Sequence, residues 1–164
     1  MTSGTFGAPV RSRLQMALGT PPPPPRGPRP FADADVPALA AAMWAAYRGT
    51  PDEGDVGDLP GAAREIQLTM NGEYGTFLRD ASFVADHEDR PVSAALVTLY
   101  KDTPLLAFLF TAPSHAGQGF GRALIQAAMH ALAAQGHDTL SLAVTRRNRR
   151  ARRLYDHLGF IEIA

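Results

Sequence analysis

The apolar residues of the chain recur with two different periods, and the period changes at recognisable stop signals. The continuous apolar run Leu105–Phe110 is short and aromatic enough to be a buried strand. Pro113 and Ser114 end this run, and a glycine-rich turn follows. Apolar residues then return at every fourth position, which predicts an amphipathic helix from Gly119 to about Gln135. Its apolar face consists of Phe120, Leu124, Ala128 and Leu132.

Two helices and two strands are predicted upstream of this segment. Asp33 or Asp35 can cap a first helix that has Pro37 in its first turn. A core stripe of this helix is formed by Leu39, Met43, Trp44 and Tyr47. After a loop rich in glycine, proline and aspartate, the pattern predicts a helix over about Ala62–Met70 and strands over Ser82–Ala85 and Val92–Tyr100.

The lengths of the connections predict how the strands pair. Short turns at residues 86–90 and 101–104 require antiparallel pairing, so the first three strands form a meander. The long helix then crosses over to a strand at Thr139–Thr145, which makes this strand parallel to Leu105–Phe110. A final helix is predicted because Ala151, Leu154, Tyr155 and Leu158 share one face and Gly159 supplies a stop. The expected fold class is α/β with a mixed sheet.

The N-terminal segment has a different composition from the rest of the chain. Residues 1–20 show no clear period, and Pro21–Pro25 with Pro28 and Pro30 favour an extended polyproline conformation. We therefore expect residues 1–28 to be a disordered proline-rich tail or linker, and residues 29–164 to be one folded domain. A partner-binding proline motif is the alternative for this tract.

Charge is segregated along a chain whose formal net charge is zero. Residues 50–90 carry ten acidic side chains against three arginines, whereas residues 146–153 hold six arginines. This asymmetry suggests an anionic ligand near the C-terminal part and a cationic one near the middle, unless both are solvated faces.

Without cysteine there is no disulfide, thiolate metal site or acetyl-cysteine intermediate. No membrane-length apolar run or secretory signal is present, so a cytoplasmic location is expected.

The turn before the long helix contains glycine at three alternate positions, Gly117, Gly119 and Gly121. Glycine lets a ligand approach the backbone, and the free N–H groups of a helix N-terminus favour anions such as phosphate. The dinucleotide pattern G-x-G-x-x-G fails because its last position is Arg122. The P-loop pattern also fails, because the only lysine of the chain, Lys101, lies upstream of the turn.

Two motifs together resemble the GNAT superfamily of acyl-CoA-dependent N-acetyltransferases. The segment Ala116–Gly121 follows that family's pyrophosphate-loop signature [RQ]-x-x-G-x-[GA], except that Ala116 replaces the arginine or glutamine. The segment Asn148–Phe160 reads N-x-x-A-x-x-L-Y-x-x-x-G-F, with every position of the second family signature filled. The resemblance covers about Arg29–Phe160. It implies a GNAT-like fold with helices on both faces of the sheet and a V-shaped splay between the two parallel strands.

The resemblance also implies which residues bind acetyl-CoA as co-substrate. The backbone of Leu109, Phe110 and Thr111 would bind the pantetheine and polarise the thioester carbonyl. Asn148 would bond the pantetheine side, and Arg149, Arg150 or Arg152 would reach the 3′-phosphate. Tyr155 matches the family tyrosine that protonates the leaving thiolate; a core tyrosine is the alternative. The full expected cofactor-binding set is Leu109, Phe110, Thr111, Ala116, Gly117, Gln118, Gly119, Phe120, Gly121, Arg122, Asn148, Arg150, Ala151 and Tyr155.

The acceptor is the least determined part of the sequence. The expected reaction is direct attack of a primary amine, from a small molecule or a peptide, and the acidic residues Asp52–Asp58 would favour a cationic one. Glu73, Asp102 and His115 are candidates for the general base. No two histidines have metal-ligand spacing, so no metal site is expected. The alternative function is a non-catalytic acyl-CoA sensor or a partner-binding module on the same fold. Homodimer formation is left open. Nucleic-acid binding by the arginine run is disfavoured because no aromatic residues interleave with it.

Overall fold

An eight-stranded sheet and five α-helices make up the computed structural model, which describes residues 10–163. The strands are β1 Arg11–Ala17, β2 Arg29–Pro30, β3 Thr76–Phe77, β4 Phe83–His87, β5 Arg90–Tyr100, β6 Thr103–Thr111, β7 Thr139–Thr145 and β8 Ile161–Ile163. The helices are α1 Val36–Tyr47, α2 Glu53–Val56, α3 Leu59–Met70, α4 Phe120–Ala134 and α5 Arg149–Leu158. None of the helices within residues 10–163 is long and apolar enough to cross a membrane.

The sheet is mixed, as the turn lengths predict. Its strand order is β2-β4-β5-β6-β7-β1-β8, and β3 pairs separately with β5. The predicted meander of β4, β5 and β6 is antiparallel throughout, and β7 is parallel to β6. The connection from β6 through α4 to β7 is a crossover between parallel strands, and α4 packs on one face of the sheet against β4, β5 and β6. The expected fold class is confirmed.

Helices cover both faces of the sheet, and each face has its own apolar core. On one face Leu39 and Met43 of α1 and Ile66 of α3 pack with residues of β4 and β5, and all three are fully buried. On the other face Leu124 and Leu132 of α4 pack with residues of β5 and β7. Alternation along β5 supplies both cores, because Leu96 points into the first and Val97 into the second.

The N-terminal segment corrects the expected domain boundary. Residues 11–17, which the sequence analysis assigns to a disordered tail spanning 1–28, form β1 in the interior of the sheet. β1 pairs antiparallel with β7 on one side and with β8 on the other. Leu14 is 3% exposed and belongs to the α4 core. The folded unit therefore includes residues well before Arg29, while residues 1–9 of the expected tail and Ala164 lie outside the described part.

The proline tract connects β1, the strand next to one edge of the sheet, with β2 at the other edge. β1 is the sixth strand in the order and β2 is the first, so the chain must cross five strand spacings between them. At about 4.8 Å per spacing this is roughly 24 Å. Residues 18–28 in a polyproline conformation extend roughly 3.1 Å each, which is sufficient to span the distance. The tract is thus a spacer inside the fold.

Candidate active site

A cleft opens where the two parallel strands separate. β6 and β7 are paired only at Leu105 and Ser141, although both strands continue in the same direction. Leu96 pairs with Phe108 and Val97 with Leu106, so Ala107 is an extra residue in β6. Such a bulge bends and twists its strand, which turns the C-terminal half of β6 away from β7. The resulting cavity of about 750 Å³ is lined by β6 from Leu105 to Thr111 and by Ala143–Thr145 of β7.

One end of the cleft is closed by the glycine turn and the N-terminus of α4. Gly119 is the N-cap residue and has a left-handed φ of 84°, which glycine adopts without strain. No side chain among residues 10–163 caps this helix, so the N–H groups of its first turn are available to a ligand. A Cβ atom built on Gly119 would have no protein atom within 4 Å, so the residue faces open space. This end of the cleft is suited to an anion.

Thirteen of the fourteen residues expected to bind the cofactor line this one cleft. They come from β6, the glycine turn, the start of α4, and α5 with its N-cap residue, and they are Leu109, Phe110, Thr111, Ala116, Gly117, Gly119, Phe120, Gly121, Arg122, Asn148, Arg150, Ala151 and Tyr155. The exception is Gln118, an exposed residue that is not part of the cavity wall. Among the arginines offered for a phosphate, Arg150 lines the cleft and Arg149 does not. Arg152 instead contacts Ser12 of β1 and Glu162 of β8.

Tyr155 is held in the cleft wall by the local structure of α5. The Asn148 side chain caps this helix by accepting a hydrogen bond from the Ala151 N–H at 3.1 Å, and Gly159 ends it in a left-handed conformation. The Tyr155 ring packs edge-on against Phe160 with 5.6 Å between the centroids. The residue is only 8% exposed. Burial, together with the negative charge of Asp52, raises the pKa of the Tyr155 hydroxyl well above its usual value, so the group keeps its proton.

Another part of the cleft, which we call the acidic end, is acidic and aromatic. Asp52 and Asp55 from the α2 region and Glu65 from α3 line it together with Tyr47, Tyr74 and Phe108. The Tyr74 hydroxyl donates a hydrogen bond to Glu65 Oε2 at 2.5 Å, and burial followed by this bond raises the pKa of Tyr74 to about 12. Tyr74 also meets Phe108 edge-on at 6.2 Å between centroids. Asp52 and Asp55 of the acidic segment Asp52–Asp58 thus lie in the cleft wall.

Several of these residues do not stand out in the sequence. Tyr47 belongs to the apolar stripe of α1, yet it lines the cleft at the C-terminal end of that helix. Glu65 and Tyr74 are nine residues apart on either side of a turn, and no pattern joins them. Of the three candidate bases, His115 lines the cleft, whereas Glu73 and Asp102 do not. The sequence feature that does indicate this part of the site is the acidic loop after α1, which supplies Asp52 and Asp55.

His115 sits beside the glycine turn in a small aromatic group. Its ring lies 4.5 Å from that of His87 and 6.2 Å from that of Phe120, measured between centroids. Its Nδ1 is 2.9 Å from the Ser114 hydroxyl. The ring therefore lies beside the N-terminus of α4, at the anion-binding end of the cleft.

Comparison with known proteins identifies the family. The model described as "Acetyltransferase (GNAT) family" matches residues 43–160. The mycothiol acetyltransferase of Beutenbergia cavernae is 46% identical over 52 residues, which is 32% of this chain and 18% of that protein. A putative GNAT acetyltransferase from Novosphingobium aromaticivorans has a TM-score of 0.63 at 23% identity, covering 94% of this chain and 61% of its own.

A third relative is similar over most of its own length. The PaiA N-acetyltransferase of Thermoplasma acidophilum, solved in complex with coenzyme A, has a TM-score of 0.64 at 15% identity, with 82% of this chain and 88% of its own covered. The first two relatives are longer than this chain, which spans less than two thirds of the length of either. The family model, in contrast, covers more than half of this chain and includes both signature segments. The chain therefore belongs to the acetyltransferase (GNAT) family.

Proposed function

We propose that this domain transfers an acetyl group from acetyl-CoA to the primary amine of an acceptor by direct attack. The observation that carries the proposal is a single cleft with a helix N-terminus at one end and a buried, protonated tyrosine in its wall. The first feature suits the pyrophosphate of the cofactor, and the second suits a leaving thiolate. The coenzyme A in the Thermoplasma relative supports this choice of co-substrate.

Acetyl-CoA would lie along the C-terminal half of β6. Because β6 and β7 are not paired beyond Leu105, the peptide groups of Leu109 and Thr111 lack a partner strand on the β7 side. An extended pantetheine arm can pair with such an edge as an added strand. The N–H groups of residues Gly117–Arg122 would then bind the pyrophosphate, with Arg122 and Arg150 near the phosphates.

Acetyl transfer joins the amine nitrogen to the carbonyl carbon of the thioester and leaves a sulfur atom that needs a proton. A neutral amine attacks the thioester carbonyl, the N–C bond forms, and the C–S bond breaks. The Tyr155 hydroxyl would give its proton to the thiolate as it leaves, because a group that stays protonated at neutral pH can act as an acid. Asp52, Asp55 and Glu65 would favour acceptors that carry positive charge.

An acceptor screen tests this function. The purified protein is incubated with acetyl-CoA and a panel of small amines, amino acids and peptide N-termini, and free CoA thiol is measured over time. Acceptor-dependent thiol release is expected. A non-catalytic acyl-CoA sensor is the alternative, and it would bind acetyl-CoA in calorimetry without releasing thiol for any acceptor.

A further inference from the structure

Of the three carboxylates at the acidic end of the cleft, Asp52 alone lacks a charged or tyrosine partner among the described residues. Asp55 forms an ion pair with Arg11 of β1. Glu65 accepts the hydrogen bond of Tyr74. Asp52 accepts only neutral hydrogen bonds, from the Thr145 hydroxyl and, at 3.5 Å, from the Asn148 amide. Its negative charge is therefore uncompensated within residues 10–163.

Asp52 is fixed to the same framework as Tyr155. Thr145 is the last residue of β7, and Asn148 caps α5, the helix that carries Tyr155. A half-buried carboxylate beside apolar cleft walls is costly without a positive partner. A carboxylate can accept about four hydrogen bonds, so two donors leave room for a third.

Two hydroxyl groups of the same cleft wall are also without a hydrogen-bond partner among the described residues. Neither the Tyr47 hydroxyl nor the Tyr155 hydroxyl makes a side-chain hydrogen bond in the described structure. Tyr155 has none although the residue is only 8% exposed. Burial raises the pKa of both hydroxyls; the charge of Asp52 adds to this effect for Tyr155, and for Tyr47 it follows the contribution of Tyr155. Both residues line the cleft. The two hydroxyl oxygens and the Asp52 carboxylate are hydrogen-bond acceptors that face one cavity, and a ligand with a cationic nitrogen, which only donates, would complete this group.

We propose that Asp52 binds the cationic nitrogen of the acceptor amine and accepts a proton from it during acetyl transfer. This inference rests on the proposed acetyltransferase function and adds the residue that recognises the acceptor. The acceptor class is a primary alkyl amine whose apolar body packs against Tyr74 and Phe108, the aromatic pair of the same wall. A neutral alcohol of the same shape lacks the charge that Asp52 requires.

The proton balance assigns Asp52 its part in the reaction. The ammonium loses one proton to water, and the neutral amine attacks the carbonyl carbon. The nitrogen becomes positive as the N–C bond forms, so the Asp52 carboxylate stabilises it more in the transition state than in the neutral amine complex. Asp52 then takes the second proton. Tyr155 gives its own proton to sulfur as the C–S bond breaks, and the proton on Asp52 restores Tyr155 through solvent.

Asp52→Asn is the test variant, because its amide oxygen can still accept the Thr145 hydrogen bond while the charge is lost. Glu53→Gln is the matched control: it removes one charge from the neighbouring residue, which is exposed and does not line the cleft. We expect Asp52→Asn to lower kcat/KM for n-butylamine at least about a hundredfold, as removal of a proton acceptor commonly does. Glu53→Gln should match the wild-type protein, and acetyl-CoA affinity should be unchanged in both variants. Asp52→Glu should recover part of the loss.

A binding experiment separates this inference from the function it rests on. n-Butylamine and n-butanol are titrated by NMR into wild-type protein, Asp52→Asn and Glu53→Gln, each saturated with CoA and checked by thermal melts. Amine binding that disappears only in Asp52→Asn supports Asp52 as the ammonium ligand, even if no thiol is released and the proposed transfer fails. Amine turnover that is equal in Asp52→Asn and Glu53→Gln overturns the inference and leaves the acetyltransferase function standing.

Discussion

At the scale of single residues, Asn148 shows how a side chain in the cleft also maintains the local structure. Its Oδ1 caps α5, and its Nδ2 reaches towards Asp52. The sequence analysis expects Asn148 to contact the pantetheine, and only Nδ2 remains for that role. A substitution at Asn148 would therefore disturb the helix that carries Tyr155 as well as any cofactor contact. Tyr155 itself has no such second hydrogen bond and can be tested more directly.

Tyr155→Phe should separate chemistry from packing. The ring and its contact with Phe160 remain, so folding and acetyl-CoA affinity should be preserved. Loss of the hydroxyl should lower kcat by about 10²–10⁴-fold, the usual contribution of a general acid. The deficit should shrink above about pH 8.5, where a thiolate leaves more readily without a proton. Steady-state rates across pH, with thermal melts as control, check this; a wild-type kcat under conditions where chemistry limits the rate would make Tyr155 a packing residue.

Tyr74 should make the stability of the protein depend on alkaline pH. Its pKa is raised to about 12 by burial and by the bond to Glu65, so the folded state holds this proton more tightly than the unfolded chain, in which tyrosine titrates near about pH 10. The contribution is fully present below about pH 10 and is lost as pH rises towards 12. Urea unfolding between these pH values should show a smaller decline in Tyr74→Phe than in the wild-type protein. Equal slopes for the two proteins would exclude this linkage.

At the scale of elements, the sequence predicts those whose pattern is local. The meander, α4, β7 and α5 are periodic segments bounded by glycine, proline or short turns, and each forms within a few residues of its expected bounds. β2, β3 and β8 have only two or three residues each, too few to show a period. The bulge at Ala107 is also absent from the pattern, because the run Leu105–Phe110 is apolar throughout. The splay between β6 and β7 is expected from the family resemblance, but its physical cause, the bulge, is visible only in the structure.

Gly119→Val tests the turn before α4 as the phosphate site. A side chain there would occupy the open space that the cofactor needs, so acetyl-CoA affinity should fall at least about tenfold, which is about 1.4 kcal/mol. Gly136→Val is the matched control, since Gly136 has a φ of 88° against 84° for Gly119 and also faces open space, but follows the other end of α4. Both variants carry similar backbone strain. Calorimetry on the folded variants decides: equal acetyl-CoA affinities would exclude this turn as the binding site.

At the scale of the whole molecule, the position of β1 is the feature that local sequence could not supply. Residues 11–17 place Ser12, Leu14 and Met16 on one side, an alternation of only three positions that precedes a proline tract. Their partners are Thr139–Thr145 and Ile161–Ile163, more than a hundred residues away. β1 therefore lies beyond β7 in the sheet, between β7 and the C-terminal strand β8. Through Arg11 and Asp55 it also contacts the acidic end of the cleft.

Substitutions at two adjacent residues of β1 test whether this strand is part of the folded core. Leu14 is 3% exposed and packs in the α4 core, whereas the neighbouring Arg13 is exposed on the opposite face. Leu14→Ala removes buried methyl groups and should lower the free energy of unfolding by about 2–5 kcal/mol. Arg13→Ala should change it by no more than about 0.5 kcal/mol.

Urea unfolding of both variants, followed by circular dichroism, measures the difference, and the slope with denaturant shows whether the unfolding transition stays cooperative. Hydrogen exchange supplies an independent readout, because amides of β7 that bond to β1 should exchange faster in Leu14→Ala than in Arg13→Ala. If residues 11–17 were a disordered tail, both substitutions would have the same small effect on the free energy of unfolding. If Leu14→Ala is no more destabilising than Arg13→Ala, β1 contributes nothing to the stability of the sheet, and the folded domain would begin after the proline tract as the sequence alone predicts.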